Sequence, residues 1–137
     1  MHYCAKIVKK EGAYLVSFPE LANINTYGDT LSEAIQNAGE ALNGSLESDF
    51  ERGYSLPGQK EHKGHGYYQI PVLPHLEIAY SLRKLRTGKS QGEIAHSLGI
   101  SYQAYQKLEN PRKCNPTIKT LEKIGTALGR KLEVSFT

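Results

Sequence analysis

The stretch Ser90-Gln91-Gly92-Glu93-Ile94-Ala95-His96-Ser97-Leu98-Gly99-Ile100-Ser101-Tyr102-Gln103-Ala104-Tyr105-Gln106-Lys107-Leu108-Glu109-Asn110 reads as two short helices meeting across a tight turn. Ser90 and Glu93 have capping-box spacing: the serine hydroxyl can accept the third helical amide while the glutamate reaches back to the cap amide. The helix they open runs to Leu98. Gly99 breaks it, since glycine takes the positive φ that a tight turn needs, and Ser101 caps a second helix through Glu109. Helices that cross closely need a small residue where they touch, which Ala95 supplies. Ile94, Leu98, Ile100 and Leu108 are expected to fill the small core, with Tyr105 only partly buried.

The flanking segments extend this helical half. Ile78, Leu82 and Leu85 mark a preceding helix, with Arg83, Lys84 and Arg86 on its remaining surface. Asn115-Pro116 places proline at a first helical position, and Ile118, Leu121, Ile124 and Leu128 form a stripe that Gly129 ends. Leu132, Val134 and Phe136 then alternate with polar neighbours as a short strand with one apolar face. That strand either pairs with a second copy, as exposed apolar edges invite, or folds back onto its own module.

Over residues 76–130 the pattern resembles the helix-turn-helix of Cro/repressor-type regulators, whose second helix enters the DNA major groove. Carried over position by position, the resemblance implies that Tyr102, Gln103 and Lys107 face base edges. Gln103 would suit adenine and Lys107 guanine. Gln91 and Ser101 would contact phosphate, with Gln106 on the flank. Tyr102 departs from the commoner short polar residues, leaving stacking, thymine contact and phosphate bonding open. Arg112 and Lys113 are either phosphate neighbours or part of a solvated loop. Such motifs act as symmetric oligomers on two half-sites, so a dimer or a dimer of dimers is expected, with Leu132, Val134 and Phe136 as oligomerisation residues.

Charge divides along the same line. The 137-residue chain carries a net charge of +3. Residues 1–73 hold six Lys/Arg against nine Asp/Glu, for −3, and residues 74–137 hold eleven against five, for +6. The split suggests a module at 1–73 and a second at 74–137 suited to a polyanion, although small domains also vary by several charges.

The acidic half reads as strands followed by a helix. Tyr3, Ala5 and Ile7 alternate in one strand and Tyr14, Val16 and Phe18 in the next, joined by Glu11-Gly12 as a hairpin. A third short strand passes through Ile24 to Tyr27. Thr30-Leu31-Ser32-Glu33 is a second capping box, and Leu31, Ala34, Ile35, Ala38, Leu42 and Leu46 follow as a helical stripe stopped by Gly53. Residues 55–66 have little to bury and read as a loop or linker. Tyr67 to Val72 forms a further strand, at an edge because of Pro71.

The segments Glu11–Leu21, Thr26–Ala34, Asn37-Ala38 and Ala41-Leu42, with Gly53 and Leu56-Pro57, resemble the HicB antitoxin family. Joined to a helix-turn-helix, the chain resembles the HicB subtype that carries its own DNA-binding domain. The resemblance implies an α+β protein with a truncated RNase H-like βββαβ module followed by an all-helical domain. It also implies a cytoplasmic antitoxin that occludes a small basic HicA-type mRNA-cleaving ribonuclease and represses its own operon on operator DNA. A stand-alone regulator whose first module senses a small ligand is the alternative.

Catalysis is not expected. An RNase H-type nuclease needs converging carboxylates for divalent metal, yet Tyr3 to Val8 contains no Asp or Glu, and Asp29 and Glu33 are accounted for by helix capping. His62 and His65 have a spacing some metal sites use but lack an evident set of further ligands, so no metal and no cofactor is expected. Cys4 and Cys114 read as free thiols, Cys4 as a small apolar filler. No apolar run approaches a membrane span, so no membrane partner is expected.

Overall fold

In the computed structural model, which describes residues 1–136, the chain forms two compact units, Met1–Leu76 and Glu77–Thr137. Thr137 itself lies outside the described residues. The first unit holds β1 (His2–Lys10), β2 (Ala13–Phe18), β3 (Leu21–Gly28), α1 (Leu31–Glu51) and β4 (Tyr67–Pro71), the expected βββαβ order. Next come α2 (Pro74–Leu85), α3 (Gln91–Leu98), α4 (Tyr102–Leu108) and α5 (Ile118–Ala127).

The strands form one antiparallel sheet in the order β3-β2-β1-β4. Glu11 and Gly12 turn the first hairpin with φ of 52° and 82°, the left-handed pair of a type I′ turn, whose twist matches that of the flanking strands. β3 starts earlier than expected because Leu21 already pairs with Phe18 across the turn and is buried. β4 lies at the sheet edge, where proline costs no ladder bond.

Alternation puts Tyr3, Ala5, Ile7, Val16, Phe18, Ile24 and Ile70 on one face, and α1 covers them with Ala34, Ala38, Leu42 and Leu46. Thr30 caps α1, its hydroxyl accepting the Glu33 N–H at 3.1 Å, and Gly53 ends it with φ of 82°. Gly28, just before the cap, lies so close to the backbone of Glu33 and Ala34 that a Cβ would not fit. The polar exception on the buried side of α1 is Asn43. Its amide donates to the Gly39 and Pro71 carbonyls, and its Oδ1 accepts the Leu73 N–H at 2.8 Å. The side chain thereby fixes how the chain leaves β4.

The connection between α1 and β4 has no regular element, as expected, but it is tied down. The Tyr3 hydroxyl donates to the Pro57 carbonyl, and Gln59 Oε1 accepts the His2 N–H at 3.0 Å. Lys6 Nζ donates to the His65 carbonyl at 2.9 Å. His62 bonds Glu20 and stacks on Tyr67 with ring centroids 5.1 Å apart.

The second unit is built on Leu82, Ile94, Ala95, Tyr105, Leu108 and Ile124, with Ile78, Leu98, Ile100 and Leu128 packed against them. Three expectations are corrected here. Pro116 does not open α5: Thr117 is the cap, its hydroxyl accepting the Thr120 N–H at 3.1 Å, so the proline lies outside the helix. Ile118 is exposed, and Ile124 is the buried residue of that helix. Residues 130–136 form no strand. A strand exists only as part of a ladder, and among the described residues the tail's bond near its start is Arg130 N–H to the Gly125 carbonyl, at 2.7 Å. Val134 and Phe136 are left exposed.

Candidate nucleic-acid interface

The 90–110 stretch folds as the sequence implies. Ser90 Oγ accepts the Glu93 N–H at 3.0 Å and opens α3. Gly99 closes it with φ of 69°, while the Ile100 N–H returns to the Ala95 carbonyl, the bond pattern of a left-handed helix stop. Ser101 Oγ accepts the Ala104 N–H at 3.0 Å and opens α4. Ala95 is buried, as close packing of the two helices requires.

One side of α4 is core and the other is solvent. Tyr105 and Leu108 point inward. Ser101, Tyr102, Gln103, Gln106 and Lys107 are exposed, and Arg112 and Lys113 beyond the helix are exposed as well. The arrangement presents amide, phenol and ammonium groups together on one helical surface, the chemistry that reads base edges and phosphate. Gln91 differs from its neighbours: it is half-buried, and its Nε2 donates to Glu109 Oε1 at 3.2 Å.

That bond belongs to a cluster the sequence reading did not find. Arg86 grips Glu109 through two parallel hydrogen bonds, Nε to Oε2 at 2.6 Å and Nη2 to Oε1 at 3.0 Å. Arg86 Nη1 also donates to the Lys89 carbonyl at 2.9 Å. The pair therefore ties the α2–α3 turn to the end of α4. The Glu109 hydrogen bond holds the Arg86 pKa above its ordinary value. Arg86 and Glu109 lie 23 residues apart, beyond the reach of any local motif.

Tyr105 is fully buried, not partly, and its hydroxyl has no hydrogen-bond partner. Burial, reinforced by the nearby Glu109 charge, pushes its pKa well above the ordinary 10.0, and burial also raises Cys114 above 9.0. A raised folded-state pKa gives stability that is whole below the unfolded value and is lost as pH climbs toward the folded one. The second unit should therefore weaken from about pH 9 upward. Tyr105→Phe removes a buried, unsatisfied hydroxyl and is expected to raise stability by about 1 kcal/mol. It should also remove the part of the alkaline loss that begins near the tyrosine pKa. Urea midpoints of both proteins from neutral to alkaline pH check this, and a destabilised variant would mean that the hydroxyl is bonded.

The fold and this site define a class: a β-β-β-α-β module joined to a helix-turn-helix DNA-binding domain. The helix-turn-helix family model matches residues 81–134. The chain is 30% identical over 129 residues to antitoxin HicB 1 of Photorhabdus laumondii subsp. laumondii, covering 93% of this chain and 81% of that protein. It is 26% identical over 125 residues to antitoxin HicB of Escherichia coli, covering 90% of each. The crystal structure of the N-terminal domain of Burkholderia pseudomallei antitoxin HicB aligns with 53% of this chain and 99% of that one, at 23% identity and a TM-score of 0.48. The chain belongs to the HicB antitoxin family, in the form that carries a helix-turn-helix.

Proposed function

We propose that the first unit binds and sterically blocks a small basic HicA-type ribonuclease, while the second represses the operon encoding both proteins. The observation that carries the DNA half is the exposed surface of α4, where Tyr102, Gln103, Gln106 and Lys107 stand together opposite buried Tyr105 and Leu108. Gln103 pairs with adenine, Lys107 donates to guanine or phosphate, and Ser101 donates its hydroxyl proton to phosphate while its oxygen holds the cap. Gln91 keeps one amide hydrogen for phosphate after bonding Glu109. For the toxin half, a −3 module complements a basic RNA-binding partner, which speeds and selects association. Occlusion needs neither catalysis nor a cofactor.

The exposed Val134 and Phe136, with Leu132, support pairing of two tails into an antiparallel ladder. That pairing would set two recognition helices on successive half-sites.

Gln103→Ala is expected to cost about 1–3 kcal/mol on the operator and to relax preference at one base pair. Equal losses on operator and random duplex, measured by titration at fixed salt, would contradict base reading. Capture of the tagged chain from its host tests the toxin half, since a stoichiometric small basic protein encoded next door is expected. Binding to its own promoter without such a protein would leave a stand-alone regulator.

A further inference from the structure

β1 presents two faces, and α1 covers one of them. His2 and Cys4 are two apart on the strand, so both project to the other face. Cys4 is only 2% exposed there, yet it is no part of the apolar cluster beneath α1. The connection between α1 and β4 brings Glu61 to the same place, with Oε1 2.9 Å from His2 Nε2. The Cys4 sulfur, a His2 ring nitrogen and a Glu61 carboxylate oxygen all lie within 4.8 Å of one another. Zinc holds sulfur at about 2.3 Å and nitrogen or oxygen at about 2.0–2.2 Å, so an ion would replace the direct His2–Glu61 bond, those two donors parting slightly around it while the sulfur closes in.

Two further features favour an ion. The His2 N–H donates to Gln59 Oε1, which anchors the connection two residues before Glu61 and pre-positions the ligand loop, as outer partners do in built sites. The His2 and Glu61 side chains are 31% and 63% exposed, so an ion can enter from solvent to the buried sulfur. Thiolate, imidazole and carboxylate together select a zinc-class cation over magnesium or calcium, which take oxygen donors. His62 and His65, the pair whose spacing stood out in the sequence, are not members of this group. His62 bonds Glu20 instead.

We infer that His2, Cys4 and Glu61 bind one divalent cation of the zinc class, with a fourth position open to water, and that the ion clamps the connection onto β1. Cys4 binds as the thiolate, releasing its proton to solvent on metal uptake. Cobalt(II) added to the reduced, untagged full chain is the probe. A near-ultraviolet thiolate-to-cobalt charge-transfer band should grow to one equivalent, and zinc should displace it. Cys4→Ser should abolish the band and Cys114→Ser should leave it. His2→Gln and Glu61→Gln change a half-buried and an exposed side chain, neither part of the apolar core, and each should weaken cobalt affinity by about tenfold or more. Absence of the band in the full chain, its survival in Cys4→Ser, or unchanged affinity in both the His2 and Glu61 variants would each overturn the site.

Discussion

Gly28→Ala is expected to destabilise the first unit by about 3 kcal/mol or more, the upper range for forcing atoms into filled space. The reason is close approach, not backbone conformation. A Cβ at this position would stand 2.8 Å from Ala34 Cα and from the Glu33 carbonyl carbon, and closer still to the Ala34 nitrogen. All three are backbone atoms of the first turn of α1, so no rotamer can move aside. Relief comes only if β3 and α1 separate, which opens the core around Ala34 and Ala38. Gly44→Ala is the internal control: it lies within α1 with nothing within 4 Å of its added Cβ. There the same substitution should stabilise by about 0.5–1 kcal/mol through helix propensity. Urea denaturation of the two variants should give shifts of opposite sign, and a Gly28→Ala loss below about 1 kcal/mol would show that the two elements part easily.

Arg86→Ala carries the second large effect, about 3 kcal/mol on the second unit. Its partner Glu109 has a side chain only 3% exposed, so deleting the guanidinium strands a carboxylate away from water. The loss exceeds that of an exposed ion pair, which is worth about 0–1 kcal/mol. Replacing both partners, as Arg86→Met with Glu109→Met, should recover much of the stability, because the cost lies in the unpaired charge and not in the missing attraction. Chemical denaturation of the single and double variants gives the coupling directly. A single-variant loss near zero would mean that Glu109 finds water instead. On the proposed DNA-binding role, operator affinity should fall in Arg86→Ala as well, since Gln91 and the end of α4 both hang on Glu109.

These examples also mark what a linear sequence can disclose. The caps at Thr30, Ser90 and Ser101 were readable because each bonds three residues ahead. The α1 stripe and the Gly99 turn were readable for the same reason, being set by local periodicity and conformation. Asn115-Pro116 puts the α5 start too early: proline suits a first helical position, but Thr117 takes the cap through its own local bond to the Thr120 N–H. The terminal strand is absent from the single chain because alternation describes a residue's two faces without supplying a partner for its backbone. What stayed hidden was held together across distance. Asn43 meets Leu73, Arg86 meets Glu109, and Glu61 meets His2 59 residues away. No spacing rule links such pairs until the chain has folded. The exposed face of α4 was legible only because its helix phase was, and Gln91 shows the limit: its position was found, but its bond to Glu109 was not.

The two hydrophobic cores share no residue. In genetic terms, lesions in this gene should therefore sort into separable alleles. If the two units do the two proposed jobs, changes at Ala38 or Leu42 would release toxicity while leaving the promoter silent, and changes at Ile94 or Ile124 would derepress the operon in cells that remain protected. On the proposed division of labour, a random mutant library scored for both traits should fall into two groups whose borders follow the two cores, and natural drift can rework one job without disturbing the other.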